Sequence, residues 1–243
     1  MARSLPSLAL LLLAAFYAQN ALALQFTPAE SEWAAWPEYC RARYVVSGAG
    51  RNSEFATHVP RAQTDMWERR LGDAWYGLHH FCAALIYTQR ARQAPTPKER
   101  TFLLNTALRN FRFTLERTSE TNGMYPEMLT RIATVYDLLG DNPHAMEYLD
   151  RAIELQPEVL VAYNTKAMIY RRKGDLEHAR ETLEEANKQS KGESAEVQYM
   201  LGLVCLEAKD YAAAQEHARV AYSLGHPLPG LRQKLAASGH PIE

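Results

Sequence analysis

The sequence predicts an all-α fold, a solenoid of stacked helix pairs behind a helical N-terminal extension. Two observations carry this expectation. Tyr136, Gly140, Asp141, Ala145, Leu149 and Ala152 recur 34 residues later as Tyr170, Gly174, Asp175, Ala179, Leu183 and Ala186, with identity at all six places. A further copy, stretched by one residue, runs Cys205, Lys209, Asp210, Ala214, Ala218 and Ala221. Self-similarity at this period marks units too small to bury an apolar face alone, which are stable only when stacked.

The first element is a targeting segment, residues 1–23. Arg3 supplies the positive end, Leu8 to Ala15 the apolar run, and Ala21-Leu22-Ala23 the small residues before a cleavage point, so Leu24 is expected to start the mature chain. The apolar run is far short of the roughly 20 residues that a membrane-spanning helix needs. No other run is long enough, so no stable membrane insertion is expected after cleavage.

Residues 24–71 form a helical extension rich in Trp and Tyr. Thr27-Pro28-Ala29-Glu30 reads as an N-cap with Pro at the first helical position and an acid at the third. Trp33, Trp36, Tyr39, Cys40 and Tyr44 give a dense apolar face, with Pro37 kinking or restarting the helix. Ser47-Gly48-Ala49-Gly50 breaks it; without a following Lys-Ser/Thr or a preceding strand, it is a plain turn rather than a phosphate loop. A short helix from Ala62 to Leu71 then ends at Gly72.

Residues 72–125 form an atypical, extended unit. Asp73 caps a helix to about Arg92, Thr96-Pro97-Lys98-Glu99 is a capping box, and Leu104, Ala107, Leu108, Phe111 and Leu115 share a helix face. Trp75 to Ala107 is 32 residues, where Leu129 to Ala145 is 16, which suits a terminal unit that must cap the stack. Three regular units follow at 126–159, 160–194 and 195–228. A closing helix, Leu231 to Ala237, lies in the tail 229–243, with Leu231 and Leu235 placed over the last unit.

Leu129, Ile132, Ala133, Tyr136, Gly140, Ala145, Leu149, Ala152 and Pro157 together resemble the tetratricopeptide (TPR) repeat. The resemblance implies a right-handed superhelix of helix-turn-helix units whose concave face binds protein or peptide. In that family the second, fifth, ninth, twelfth and thirteenth positions of each unit line the concave face. The resemblance thus selects Glu127, Thr130, Thr134, Asp137 and Leu138, then Val161, Asn164, Met168, Arg171 and Arg172, then Glu196, Tyr199, Leu203, Leu206 and Glu207. Tyr76 and His80 would extend this surface into the atypical unit, where the family's clamp for an acidic C-terminus would need Lys and Asn. That clamp is therefore absent. Polar groups mixed with Met, Leu and Tyr suit an extended peptide or an amphipathic helix.

Other chemistries find little support. A net charge of −1 gives no basic surface for nucleic acid. No Gly-x-Ser-x-Gly turn or His-Glu-x-x-His helix is present, so no enzyme is expected, although catalytic residues can also meet from distant positions. His79-His80-Phe81-Cys82 is the one stretch that hints at a metal or cofactor. Adjacent histidines cannot share a helix face, and too few further ligands lie nearby, so no cofactor is expected. The aromatic extension is a second alternative, as a saccharide site. Cys205 is expected to be a buried free thiol. In an oxidising compartment Cys40 and Cys82 can pair across 42 residues, the alternative being two separate buried thiols. The leading expectation is an exported, periplasmic TPR adaptor that holds a protein partner for an envelope machine, such as a pilus, secretion or polysaccharide-export assembly; the last is implied by resemblance only.

Overall fold

The structure is a computed structural model that describes residues 26–242. The targeting segment and Leu24 lie outside the described residues. Twelve helices and no strand occur among the described residues: α1 (Glu30–Ala35), α2 (Glu38–Val45), α3 (Arg61–Leu71), α4 (Ala74–Gln93), α5 (Pro97–Leu115), α6 (Tyr125–Leu139), α7 (Asn142–Leu155), α8 (Leu160–Arg172), α9 (Leu176–Gln189), α10 (Ala195–Glu207), α11 (Tyr211–Ser223) and α12 (Gly230–Ala237). None is long and apolar enough to cross a membrane.

Helices α6 to α11 form three antiparallel pairs of TPR form, and the turn chemistry explains why. Each first helix is followed by a left-handed residue: Gly140 at φ 82°, Gly174 at φ 78°, and Lys209 at φ 62°. Glycine adopts this conformation freely, so Lys209 is the strained member. The following aspartate amide donates back to the helix, Asp141 to Tyr136 O, Asp175 to Tyr170 O and Asp210 to Cys205 O, at 2.9–3.0 Å. The same aspartates then cap the second helix, accepting from the amides of His144, His178 and Ala213. One residue thus closes one helix and opens the next.

Small and large residues alternate on the inner face of each second helix. Ala145, Leu149 and Ala152, with their equivalents Ala179, Leu183 and Ala186, are fully buried. The last pair has Ala218 in place of the leucine, and Gly202 faces it. The closing helix fills this gap: a Cβ added to Gly202 would lie 2.4 Å from Leu231 Cδ2, and Leu231 and Leu235 are fully buried. Cys205 is buried in the same core, and desolvation raises its thiol pKa.

Upstream, α4 and α5 form the longer terminal pair. Thr96 caps α5 by accepting from Glu99 N, and the helices touch closely at Gly77, whose carbonyl accepts from Thr114 Oγ1 at 2.9 Å. A Cβ on Gly77 would sit 3.0 Å from Thr114 Cα. Asp73 stands at the N-cap of α4 but makes no capping bond. Its carboxylate instead accepts from Ser119 N and Asn122 Nδ2, tying the entry of α4 to the loop after α5.

The extension is fastened across α4. Cys40 on α2 and Cys82 on α4 are joined by a disulfide, with Cα atoms 5.5 Å apart. Trp36 Nε1 donates to Cys82 O, and Arg90 on α4 makes a two-pronged pair with Glu32 at 2.6 Å. Glu32 also explains where α1 starts. Its carboxylate accepts from Ala29 N, so the helix begins at Glu30 with Ala29 as N-cap, rather than at Thr27-Pro28 as the local pattern indicates. Pro37 separates α1 from α2 and serves as the N-cap position of α2.

Candidate partner-binding face

First helices of successive units lie side by side, α6 beside α8 and α8 beside α10, so their outward residues form one surface. On α8, Val161, Asn164 and Met168 stand one repeat beyond Glu127, Thr130 and Thr134 on α6. Thr130 is buried and donates to Pro126 O, while Thr134 is half-buried and donates to Thr130 O. Val161 is 46% exposed. Asn164 is half-buried, and its Oδ1 is sealed from solvent without a hydrogen-bond partner within the chain. Burying an unmet amide oxygen costs about 1–3 kcal/mol, so turning the Asn164 side chain outward to meet an incoming N–H would relieve that cost.

The charged residues of this surface are engaged with each other. Arg172 on α8 pairs with Asp137 on α6, and Arg171 pairs with Glu207 on α10 through two bonds of 2.7 and 2.5 Å. Both pairs join neighbouring first helices across the unit boundary. Hydrogen bonding to Glu207 raises the Arg171 pKa further above its usual value. Arg171 also reaches Met168 Sδ at 3.4 Å. Glu127 accepts from Arg131 at 3.1 Å and from Tyr39 of the extension at 3.5 Å. Burial first, then the Glu127 charge, pushes the Tyr39 phenol pKa up.

Both ends of the expected surface differ from the repeat register. At the C-terminal end, His226 stacks on Tyr199 with centroids 3.9 Å apart and bonds Glu196, and Tyr199 and Leu203 are buried. The segment between α11 and α12 occupies that part of the face. At the other end, His80 turns to α5, with Nδ1 2.7 Å from Asn110 Oδ1 and its ring 4.0 Å from Phe113. Burial lowers its pKa. Tyr76 is 73% exposed, but it borders a separate cavity with the extension. The atypical unit is longer than a repeat, so repeat numbering does not transfer to it.

Several lining residues are not legible from the repeats. The extension lies against α4 and α6 to make a half-open cavity of about 280 Å³, walled by Trp36, Pro37, Leu85, Phe111, Arg92 and Thr134 among others. Its base is apolar. Arg92, at its rim, makes no ion pair among the described residues. Leu85, Gln89 and Arg92 are spaced for one helix face, which is the only sequence signal that groups them.

The alternative chemistries lose their atoms. Cys82 sulfur is bonded to Cys40, so it offers no thiolate to a metal. Burial, with the His80 and Arg43 charges, pushes His79 down to about 4, leaving a neutral ring on the extension side of α4. No group of three or more possible metal ligands occurs among the described residues. Trp33, Trp36 and Tyr44 are buried, and Trp33 stacks on Phe55 at 4.4 Å. Their faces are spent on the core and are not open to a sugar ring.

Residues 112–191 match the family model described as N-terminal acetyltransferase A, auxiliary subunit. No curated protein matches the chain. Among solved structures, a MamA chain from Desulfovibrio magneticus RS-1 is 18% identical, covering 70% of this chain and 88% of that one, with a TM-score of 0.47. TTC0263, a thermophilic TPR protein in Thermus thermophilus, is 17% identical over 70% of this chain and 97% of its own, with a TM-score of 0.48. YrrB, a TPR protein with an unusual peptide-binding site, is 18% identical over 73% of this chain and 79% of its own, with a TM-score of 0.47.

Proposed function

We propose that this chain is an exported, non-enzymatic adaptor that holds a peptide segment of a protein partner along its concave face. The observation that carries this reading is the sealed, unpartnered Oδ1 of Asn164, flanked by exposed Val161 and half-buried Met168. An extended peptide supplies an N–H for that oxygen and apolar side chains for its neighbours. The cavity beside Phe111 and Leu85 then receives a side chain at the head of the strip. Its size is near the lower bound of about 300 Å³ for ligand pockets, which suits one anchor residue rather than a cofactor.

Export to the periplasm is part of the same proposal. It is supported by the three-part order of the targeting segment and by a disulfide across the extension, a bond that persists in oxidising compartments. The partner would belong to an envelope assembly such as a pilus, secretion or polysaccharide-export machine. Crosslinking in intact cells, followed by fractionation and purification of the chain, tests this. Mature protein should begin at Leu24, fractionate with soluble periplasmic contents and carry one partner crosslinked near Asn164. A chain that retains Met1 in the membrane fraction would refute export.

A further inference from the structure

We propose that the half-open cavity bordered by α2, the segment after it, α3 and the start of α4 is a second binding site, separate from the concave face, for an acidic peptide segment. The cavity holds about 510 Å³, and its walls include Arg43, Arg51, Arg61, Asp65, Glu68 and Tyr76. Three guanidinium groups face two carboxylates there, and the pairing is uneven. Arg61 is paired with Asp65 at 2.9 Å, whereas neither Arg43 nor Arg51 makes an ion pair among the described residues.

Backbone anchors hold these two arginines in place. Arg43 Nε donates to Trp75 O at 2.9 Å and Nη2 lies 3.4 Å from Tyr76 O, with the guanidinium over the Trp75 ring. Arg51 Nε donates to Val46 O at 3.0 Å. Each keeps N–H groups for a ligand while its orientation is fixed, so little ordering remains to be done on binding. Burial, offset by Glu68 and reinforced by the nearby Arg51 charge, lowers the Arg43 pKa, so an incoming anion relieves an existing cost.

The balance of donors and acceptors selects the ligand class. Thr64 spends its hydroxyl hydrogen on Arg61 O and Asp65 is committed to Arg61, so Glu68 alone stands against the two unpaired guanidinium groups of Arg43 and Arg51, and the wall keeps an excess of donors and of positive charge. Sugar hydroxyls need acceptors as well as donors. Carboxylates and peptide carbonyls only accept, and they match a wall of guanidinium N–H groups. Tyr76, mostly in solvent at the rim, offers an apolar ring beside the charged wall. Arginine clusters of this kind recognise acidic motifs.

Backbone-amide NMR of the mature chain tests the site with an acetylated, amidated peptide of three Glu-Gly repeats. Shifts are expected in residues 43–51 and 61–76, lost when Gln replaces Glu and weakened when ionic strength rises about tenfold. Arg51→Ala and, separately, Tyr76→Ala should each weaken the peptide, Arg51→Ala by about tenfold or more. The Tyr76 variant guards against a folding artefact, because its ring contributes little to the core. Asn164→Ala should leave this binding unchanged, which separates the site from the concave face. Absence of shifts around the cavity would overturn the proposal, as would unaltered affinity in both variants. Binding of an oligogalacturonate with no binding of the Glu-Gly peptide would overturn the peptide assignment.

Discussion

Replacing Cys40 and Cys82 together by alanine is expected to lower the stability of the N-terminal part by about 4 kcal/mol. The disulfide closes 42 residues, and the chain-entropy relation for a loop of that length gives this figure. The effect should be local. All four tryptophans, Trp33, Trp36, Trp67 and Trp75, lie in the extension or at the start of α4. Tryptophan fluorescence during urea unfolding therefore reports on the fastened region, and circular dichroism reports on the helices as a whole. The fluorescence midpoint should fall further than the dichroism midpoint. Coincident, unshifted transitions would show that Glu32–Arg90 and the aromatic packing hold the extension without the bond.

The second large effect belongs to the middle of the solenoid. Leu183→Ala should cost about 2–5 kcal/mol, because the side chain is fully buried in the core that the α8–α9 pair shares with α10 and α11. Stability in stacked repeats is a sum of unit and neighbour contributions. The loss should therefore appear in the dichroism transition, with the tryptophan signal following less. A variant as stable as the parent would mean that the α8–α9 pair does not carry the stack. Leu183 is a sharper choice than its equivalent in the last pair, where Ala218 already leaves the space to Leu231.

The contrast between these two regions shows what the sequence makes legible. The repeats can be read because their determinants are local: a left-handed Gly140 or Gly174 followed by a capping aspartate specifies a helical hairpin within about ten residues. Lys209 breaks the glycine pattern, yet Asp210 keeps the cap, so the third pair survives. The start of α1 is misread because Thr27 and Glu30 fit a cap locally, whereas Glu32 is fixed from afar by Arg90. Asp73 likewise gives up its cap for Ser119 and Asn122, residues some fifty positions on.

The face itself is legible only in its centre. Repeat register selects Asn164 and Met168, but it cannot show that Arg171 and Arg172 are held by Glu207 and Asp137 on neighbouring helices. An arginine in such a position reads as a free contact until the partner helix is placed. His226 falls past the second helix of the third unit, where the repeat pattern specifies no residue, and nothing in its surroundings announces that it stacks on Tyr199. The cavity at Phe111 needs the extension, which has no repeat register at all.

A groove variant must accordingly avoid the ion pairs, since Arg171→Ala would strand Glu207 and confuse stability with binding. Asn164→Ala combined with Met168→Ala leaves both ion pairs in place, removing from the rest of the molecule only the Met168 contact with Arg171 and its packing on the edge of the core. The decisive measurement is the affinity of this double variant for the partner recovered by crosslinking, taken beside its thermal unfolding. A partner held through the Asn164 oxygen and the apolar strip should bind about ten- to a hundredfold more weakly, the equivalent of one or two lost interface contacts. The midpoint should move little, because removing an unmet buried oxygen offsets the lost packing. Parental affinity in a folded double variant would contradict the concave face as the binding site.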